Sequence, residues 1–242
     1  MLSQLNLPRV PLRSGSMEME ITLPDEVPVM TLAQATLFPQ ALMPLHIFEP
    51  RYRAMLRDVL AGDRLFAVVG LDERRAEAGD FEPPHRVAAV GIVRACQRNP
   101  DGTSNLLLQG LCRAEVVAIS RDEPYRRIQI RALASEAGAT AEANEALRRE
   151  LSRLIGVKLR LAGKGEGEMA AFLKTVDDPE AFVDIAAASL CDDADLRQRL
   201  LETLDVHRRL ALFGGVLRRE IEALRLRRKL QGDLPDDRIE HN

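Results

Sequence analysis

Along this chain the spacing of apolar residues changes once, near residue 140. Before that point apolar side chains alternate with polar ones or come in short runs, and after it they recur every three or four residues. Residues 18–23 and 26–32 read as strands, and Pro24 and Pro28 restrict them to the edge or the opening of a sheet. Residues 37–53 (LFPQALMPLHIFEPRYR) follow, with Pro39 and Pro44 holding the backbone extended and Pro50 placed where a helix begins. From Pro50 onward Tyr52, Met55, Leu56, Val59 and Leu60 share one helical face, while Arg51, Arg53, Arg57 and Asp58 point away. Gly62 is the expected left-handed cap.

A strand is expected over 64–71, a charged surface loop over 72–86, and a strand with a bulge at Gly91 over 87–98. Asn99, Pro100, Asp101 and Gly102 form a turn signal that makes 103–109 the partner strand of a hairpin. Gly110 is expected to break the run before two more alternating strands, 111–119 and 125–133, the second with Ile128 and Ile130 on one face. So many short strands around one helix suit a small closed or nearly closed barrel. Beyond it, 141–161 carries Ala143, Leu147, Leu151, Leu154 and Ile155 at helical spacing, 163–167 (GKGEG) is a loop, and 168–175 is a short helix. Asp178 and Pro179 open a helix through Phe182, Ile185, Ala186 and Leu190. Residues 192–195 then cap one long final helix bearing Leu196, Leu200, Leu204, Leu210, Leu217, Ile221 and Leu224, interrupted at Gly214 and Gly215. The fold class expected is α+β: a β-rich pseudo-barrel followed by a helical subdomain with a long C-terminal helix.

The stretch FPQALMPLHIFEPRYRAMLRDVLAGDRLFAVV resembles the amino-terminal, substrate-binding domain of the ATP-dependent Lon proteases, whose barrel is PUA-like. GIVRACQRNPDGTSNLLLQGLCRAEVV is similar to that family's strand, Asp- and Gly-containing turn and Gly-x-x-Arg strand start. DDADLRQRLLETLDVHRRLALFGGVLRREIEAL is similar to its helical part, so the resemblance covers about residues 28–224. Gln40 departs from the pattern, because the family usually has Gly after the first proline, and a turn with φ > 0 is in question there. The domains expected are an arm and first strand over 1–25, the barrel over 26–135, the helical subdomain over 140–231 and a polar tail over 232–242. Within the arm, residues 1–16 read either as flexible or as an extension from an upstream start codon.

The resemblance implies a module that binds unfolded or exposed polypeptide segments, in protein quality control and alongside a protease or chaperone. Its motif residues here are Pro39, Pro44, Leu45, His46, Phe48, Glu49, Pro50, Arg51, Tyr52 and Arg53, in a structural or a recognition role. Leu37, Phe38, Leu42 and Met43 are the candidate peptide-binding surface, although each also suits core burial. An extended peptide would add to a strand edge or lie in an apolar groove. His46 reads as a packed histidine with one bonded ring nitrogen, and Glu49 with Arg51 as a tie between strand and helix.

Composition narrows the function classes. At 242 residues, 46% hydrophobic and with a net charge of −3, the chain can bury a core and carries no global field for nucleic acid or an anionic membrane. Cys96, Cys112 and Cys191 are too few and too widely spaced for a disulfide framework or zinc knuckle and suit a reducing compartment. With no signal-peptide core and no membrane-length apolar run, a cytoplasmic location is expected. His46, His85, His207 and His241 lack metal-type spacing, GKGEG is not a phosphate loop, and no GxSxG turn frames a serine. The expectation is therefore a non-catalytic module with no cofactor and no metal, without the ATPase and Ser/Lys peptidase modules of Lon proteases. Two alternatives stay open: an RNA-binding PUA-like protein, from Arg218, Arg219, Arg225, Arg227, Arg228 and Lys229, and a hydrolase. A homodimer through the helical subdomain also stays open.

Overall fold

The computed structural model describes residues 9–14, 17–163 and 168–232. In chain order its elements are β1 (Arg9–Ser14), β2 (Met17–Thr22), β3 (Glu26–Leu32), β4 (Leu42–Ile47), α1 (Pro50–Ala61), β5 (Leu65–Gly70), α2 (Glu73–Glu77), β6 (Val87–Arg98), β7 (Ser104–Arg121), β8 (Arg127–Leu133), α3 (Ala141–Leu161), α4 (Glu168–Leu173), α5 (Pro179–Leu190), α6 (Ala194–Glu202) and α7 (Val206–Gly232). They divide into two compact units. Residues up to Glu136 join Asp184–Leu204 in the first, and Ala137–Val183 joins the residues from Asp205 onward in the second. Residues 184–204, helical and expected with the other helices, thus belong with the strands. Of the expected arm, β1 pairs antiparallel with β2, and residues 1–8, 15 and 16 lie outside the described residues.

In the first unit a mixed six-stranded sheet runs in the order β4-β7-β6-β5-β3-β8, and β8 pairs again with β7, which closes the pseudo-barrel. Period-2 alternation builds its interior. Val27 and Val29, Leu65, Ala67 and Val69, Ala88 and Val90, Cys112 and Ala114, and Ile128 and Ile130 all face one core. β3 is an interior strand, not the edge strand its prolines suggested. It pairs with β8 through Glu26–Pro28 and with β5, in parallel, through Val29–Leu32. Pro28 lies where the strand changes partner, so its missing amide is not required on both sides.

β7 continues for 18 residues without the break expected at Gly110. One edge of it pairs with β4 through Ser104–Gln109 and then with β8 from Arg113 onward, and Pro39 forms a bridge to Gly110 between the two. A Cβ on Gly110 would lie 2.0 Å from the Phe38 carbonyl oxygen, so the absent side chain is what lets residues 38–41 cross the strand. There Gln40 N–H donates to the Gly110 carbonyl and Gly110 N–H to the Ala41 carbonyl, each at 2.9 Å. Gln40 takes φ 64°, so the left-handed turn is kept without glycine. At the end of α1 the reverse holds: Gly62 has φ −109°, and Arg64, at φ 65°, is the left-handed residue. α1 buries Tyr52, Met55, Leu56 and Val59 as its spacing predicts, while Leu60 stays 39% exposed. The register of β6 shifts at Gly91, where the bulge was expected, and the 72–86 loop contains α2.

In the second unit α3 packs along α7, with Lys158 paired to Glu220 at 2.9 Å and Arg218 to Glu150 at 2.7 Å. Asn144 is buried at the start of α3. It donates to the Ala137 carbonyl (2.8 Å) and meets His207 Nδ1 at 2.9 Å. The single long final helix of the sequence reading is two helices, α6 and α7, parted at Thr203–Asp205, and Gly214 and Gly215 do not interrupt α7. Asp205 caps α7 by accepting from Arg208 N–H at 2.8 Å, a start signal that the surrounding leucine spacing hides.

Candidate functional site

The alternation of residues 42–48 sets the candidate surface. β4 pairs only with β7, so among the described residues its other edge has no strand partner. Along it Leu42, Pro44, His46 and Phe48 are exposed while Met43 and Leu45 are half-buried and Ile47 is buried. Leu42 is 57% exposed and Phe48 60%, two of the larger apolar side chains that face solvent. His46 Nδ1 lies 2.8 Å from Asn105 Oδ1, and its ring stacks near that of Phe48 with centroids 5.9 Å apart. It is therefore a bonded but exposed histidine, not a packed one. Across the register Pro44 opposes Leu107, which opposes Ala95 on β6, so apolar surface extends from β4 over two neighbouring strands.

Of the four residues singled out as a peptide-binding surface, Leu37 and Phe38 are 1% and 0% exposed. They belong to the core, because the chain that crosses Gly110 turns both side chains inward. Leu42 alone of the four is well exposed. Pro44 and Phe48, read first as motif positions, are its true neighbours on the outer face, and period 2 from Leu42 was the signal that could have found them.

The rest of the motif braces the corner between β4 and α1. Arg51 donates from Nε to Glu49 at 3.0 Å and from its two Nη atoms to Glu82 at 2.7 and 2.9 Å, and its guanidinium lies 4.6 Å from the Tyr52 ring centroid. The Arg51 fork holds the Glu82 carboxyl below its ordinary value, and burial pushes the Tyr52 phenol up. Pro50 stands in the first turn of α1, as expected. Arg53 instead reaches the Asn99–Gly102 turn, its Nη2 2.4 Å from where a Gly102 Cβ would be.

The Gly-x-x-Arg element also has a structural explanation. Gly110 admits the crossing chain, and Arg113, 2% exposed, makes a two-bond pair with Asp184 at 2.8 and 2.7 Å and donates from Nε to the Leu201 carbonyl at 2.9 Å. Within the first unit these contacts tie Asp184 and α6 to β7.

A cleft of about 730 Å³ lies elsewhere in the first unit. Its lining includes Asp72, Glu73, His85, Asp193, Gln198 and Glu202. Among the described residues no group of His, Cys, Asp or Glu is placed to hold a metal ion. Burial pushes the Cys112 thiol up to about 12, far from the thiolate a nucleophile needs. His85 and His207 are in different units, and His241 lies outside the described residues. Of the basic cluster on α7, Arg218 is held by Glu150, whereas Arg225, Arg227 and Arg228 are exposed. No helix among the described residues is long and apolar enough to cross a membrane.

A family model described as the ATP-dependent protease La (LON) substrate-binding domain matches residues 26–219. The chain belongs to the Lon substrate-binding domain family. Lon proteases of Desulfosudis oleivorans and Dictyoglomus thermophilum are 26% and 27% identical to it over 219 and 217 residues, each covering 89% of this chain. The chain spans 26% and 27% of those relatives' own lengths, about a quarter. Among solved structures the N-terminal domain of a Mycobacterium avium complex Lon protease aligns with a TM-score of 0.62 at 20% identity, covering 81% of this chain and 98% of that one. A Lon N-terminal domain protein from Xanthomonas campestris aligns with a TM-score of 0.53 at 22% identity, covering 77% and 95%. These likenesses confirm the Lon N-terminal fold. Within it the PLHIFEPRYR motif forms one exposed strand face and one ion-paired corner.

Proposed function

We propose that this protein binds exposed polypeptide segments on the outer face and free edge of β4. The reading places it in protein quality control, as a recognition module working beside a protease or chaperone. The observation that carries it is the set of exposed apolar side chains, Leu42 and Pro44 on β4 and Phe48 just past its end, beside one open strand edge. An extended segment laid beside β4 gains main-chain hydrogen bonds from that edge, and alternate side chains cover Leu42 and Phe48. Pro44 offers no amide, so pairing is limited and side-chain burial has the larger share of the affinity. Recognition of this kind needs no convergent acid, base or nucleophile.

Binding of an unfolded model polypeptide to the full chain, followed by fluorescence anisotropy at low and high salt, tests this. Burying one large apolar side chain is worth about 1.5–3 kcal/mol, so Leu42→Asp and Phe48→Ala should each weaken binding by about tenfold or more, with little dependence on salt. Both residues are exposed, so the far-ultraviolet circular dichroism should not change. Undiminished binding in both variants would remove β4 from the site. Single-stranded RNA that binds instead, with a steep salt dependence abolished by Arg225→Glu, would replace the polypeptide reading with a nucleic-acid one.

A further inference from the structure

Between α1 and the β6–β7 hairpin lies a smaller cavity, about 250 Å³, lined by Arg53, Leu56, Arg57, Leu60, Cys96 and Arg98 together with Gly102 and Ser104. Arg53 and Arg57 stand one turn apart on α1, and Arg98 ends β6. Among the described residues none of the three forms an ion pair, although like charges at that spacing repel. The Asp101 carboxylate feels the charge of Arg53, but its hydrogen bonds, like that of Asp58, go to other groups. Asp101 accepts from Thr103 N–H and Oγ1 at 2.9 and 2.7 Å, and Asp58 accepts from the Tyr125 hydroxyl at 2.8 Å. The opposite wall is apolar, with Leu56 at the base and Leu60 39% exposed.

We infer that this cavity takes the C-terminal residue of a bound polypeptide, its carboxylate on the arginines and an apolar side chain against Leu56, Leu60 and Cys96. The inference rests on the reading that β4 binds polypeptide. The volume is below the roughly 300–1,000 Å³ of small-molecule sites, so it holds about one residue. Guanidinium forks match carboxylates two bonds at a time. An internal Asp or Glu would bring the charge but leave the apolar wall uncovered. A terminal apolar residue supplies both groups together. The sheet register puts the cavity near the end of β4: Ser104, one of its lining residues, opposes Ile47, the last residue of that strand.

The test uses the full chain and one unstructured peptide ending in leucine, prepared as the free acid and as the C-terminal amide, with anisotropy as the readout. The acid should bind at least about tenfold more tightly than the amide. That ratio should fall to about one in the Arg57→Glu/Arg98→Glu double variant, whereas Leu42→Asp should weaken both forms and leave the ratio standing. Equal binding of acid and amide, still sensitive to Leu42→Asp, would overturn this inference and leave the β4 reading intact. An acid preference that survives the double arginine variant would also overturn it, and failure of both peptides to bind would overturn both readings.

Discussion

Arg113 and Asp184 are among the most deeply buried ionisable residues described, 2% and 0% exposed, and together they allow a quantitative test of how the first unit is held together. Replacing Arg113 with Met keeps most of the volume but takes away the cation whose two bonds face the Asp184 carboxylate, and with it the donor to the Leu201 carbonyl. Breaking a buried ion pair from one side costs about 3–5 kcal/mol, and the lost bond to the carbonyl adds about 1 kcal/mol. At roughly 2–4 °C per kcal/mol for a domain of about 150–250 residues, the melting temperature should fall by about 10 °C or more. Asp184→Leu should cost about 3–5 kcal/mol, because it leaves the Arg113 cation buried without its carboxylate. The double variant Arg113→Met/Asp184→Leu removes both charges and should recover most of the loss, giving a coupling of about 3 kcal/mol or more in a double-mutant cycle. Urea unfolding followed by circular dichroism measures all four proteins. A single Met variant within about 1 kcal/mol of the parent, or a double variant as unstable as the two singles added, would show that the charge pair is not what secures residues 184–204 on β7.

Gly110→Ala should destabilise by about 2–4 kcal/mol, because a methyl group 2.0 Å from the Phe38 carbonyl forces residues 38–41 off the strand and breaks two hydrogen bonds. Thermal melting reads it, and a shift below about 2 °C would mean that the crossing segment moves aside at little cost. The Glu82 carboxyl is held below its ordinary value of 4.5, so its pairing with Arg51 stabilises the fold above that pH and is lost as pH falls through the lower, folded value. Glu82→Gln should therefore be less stable than the parent by up to about 1 kcal/mol at neutral pH, with the difference closing in acid; a difference independent of pH would dissociate it from the ionised pair.

The sequence was most legible where local spacing and local structure agree. Tyr52, Met55, Leu56 and Val59 fall on the buried stripe of α1 because four helical positions are visible without knowing any partner. The turn at Asn99–Gly102 and the bulge at Gly91 carry their own backbone chemistry. Errors arose where a distant segment decides. Gly110 reads as a break, yet its lack of a side chain serves a crossing 70 residues back in the chain; Pro28 reads as an edge marker, yet it marks a change of partners. Arg113 and Asp184 lie in apolar surroundings that give no local hint of their pairing. At the candidate site Leu37 and Phe38 looked as suitable as Leu42, because hydropathy cannot show which way a crossing chain turns its side chains.

The motif shared with the Lon domains is mainly a description of the fold. Tyr52 is core, Pro50 starts a helix, Glu49 and Arg51 join that helix to Glu82, and Arg53 reaches over a turn. Each of these would be disturbed by substitution whatever the protein binds. The outward residues Leu42, Pro44, His46 and Phe48 are under a weaker constraint, since their side chains contribute little to core packing and a change there leaves the strand in place. Two proteins can therefore share this fold at about one-quarter identity and present different surfaces on the same strand. Selectivity among polypeptides should follow the four outward positions and the cavity arginines Arg53, Arg57 and Arg98. A chimera that carries another Lon domain's residues at Leu42, Pro44, His46 and Phe48 should keep this protein's melting temperature and take on that domain's peptide preference; a chimera that melts normally but keeps its original preference would place recognition elsewhere on the molecule.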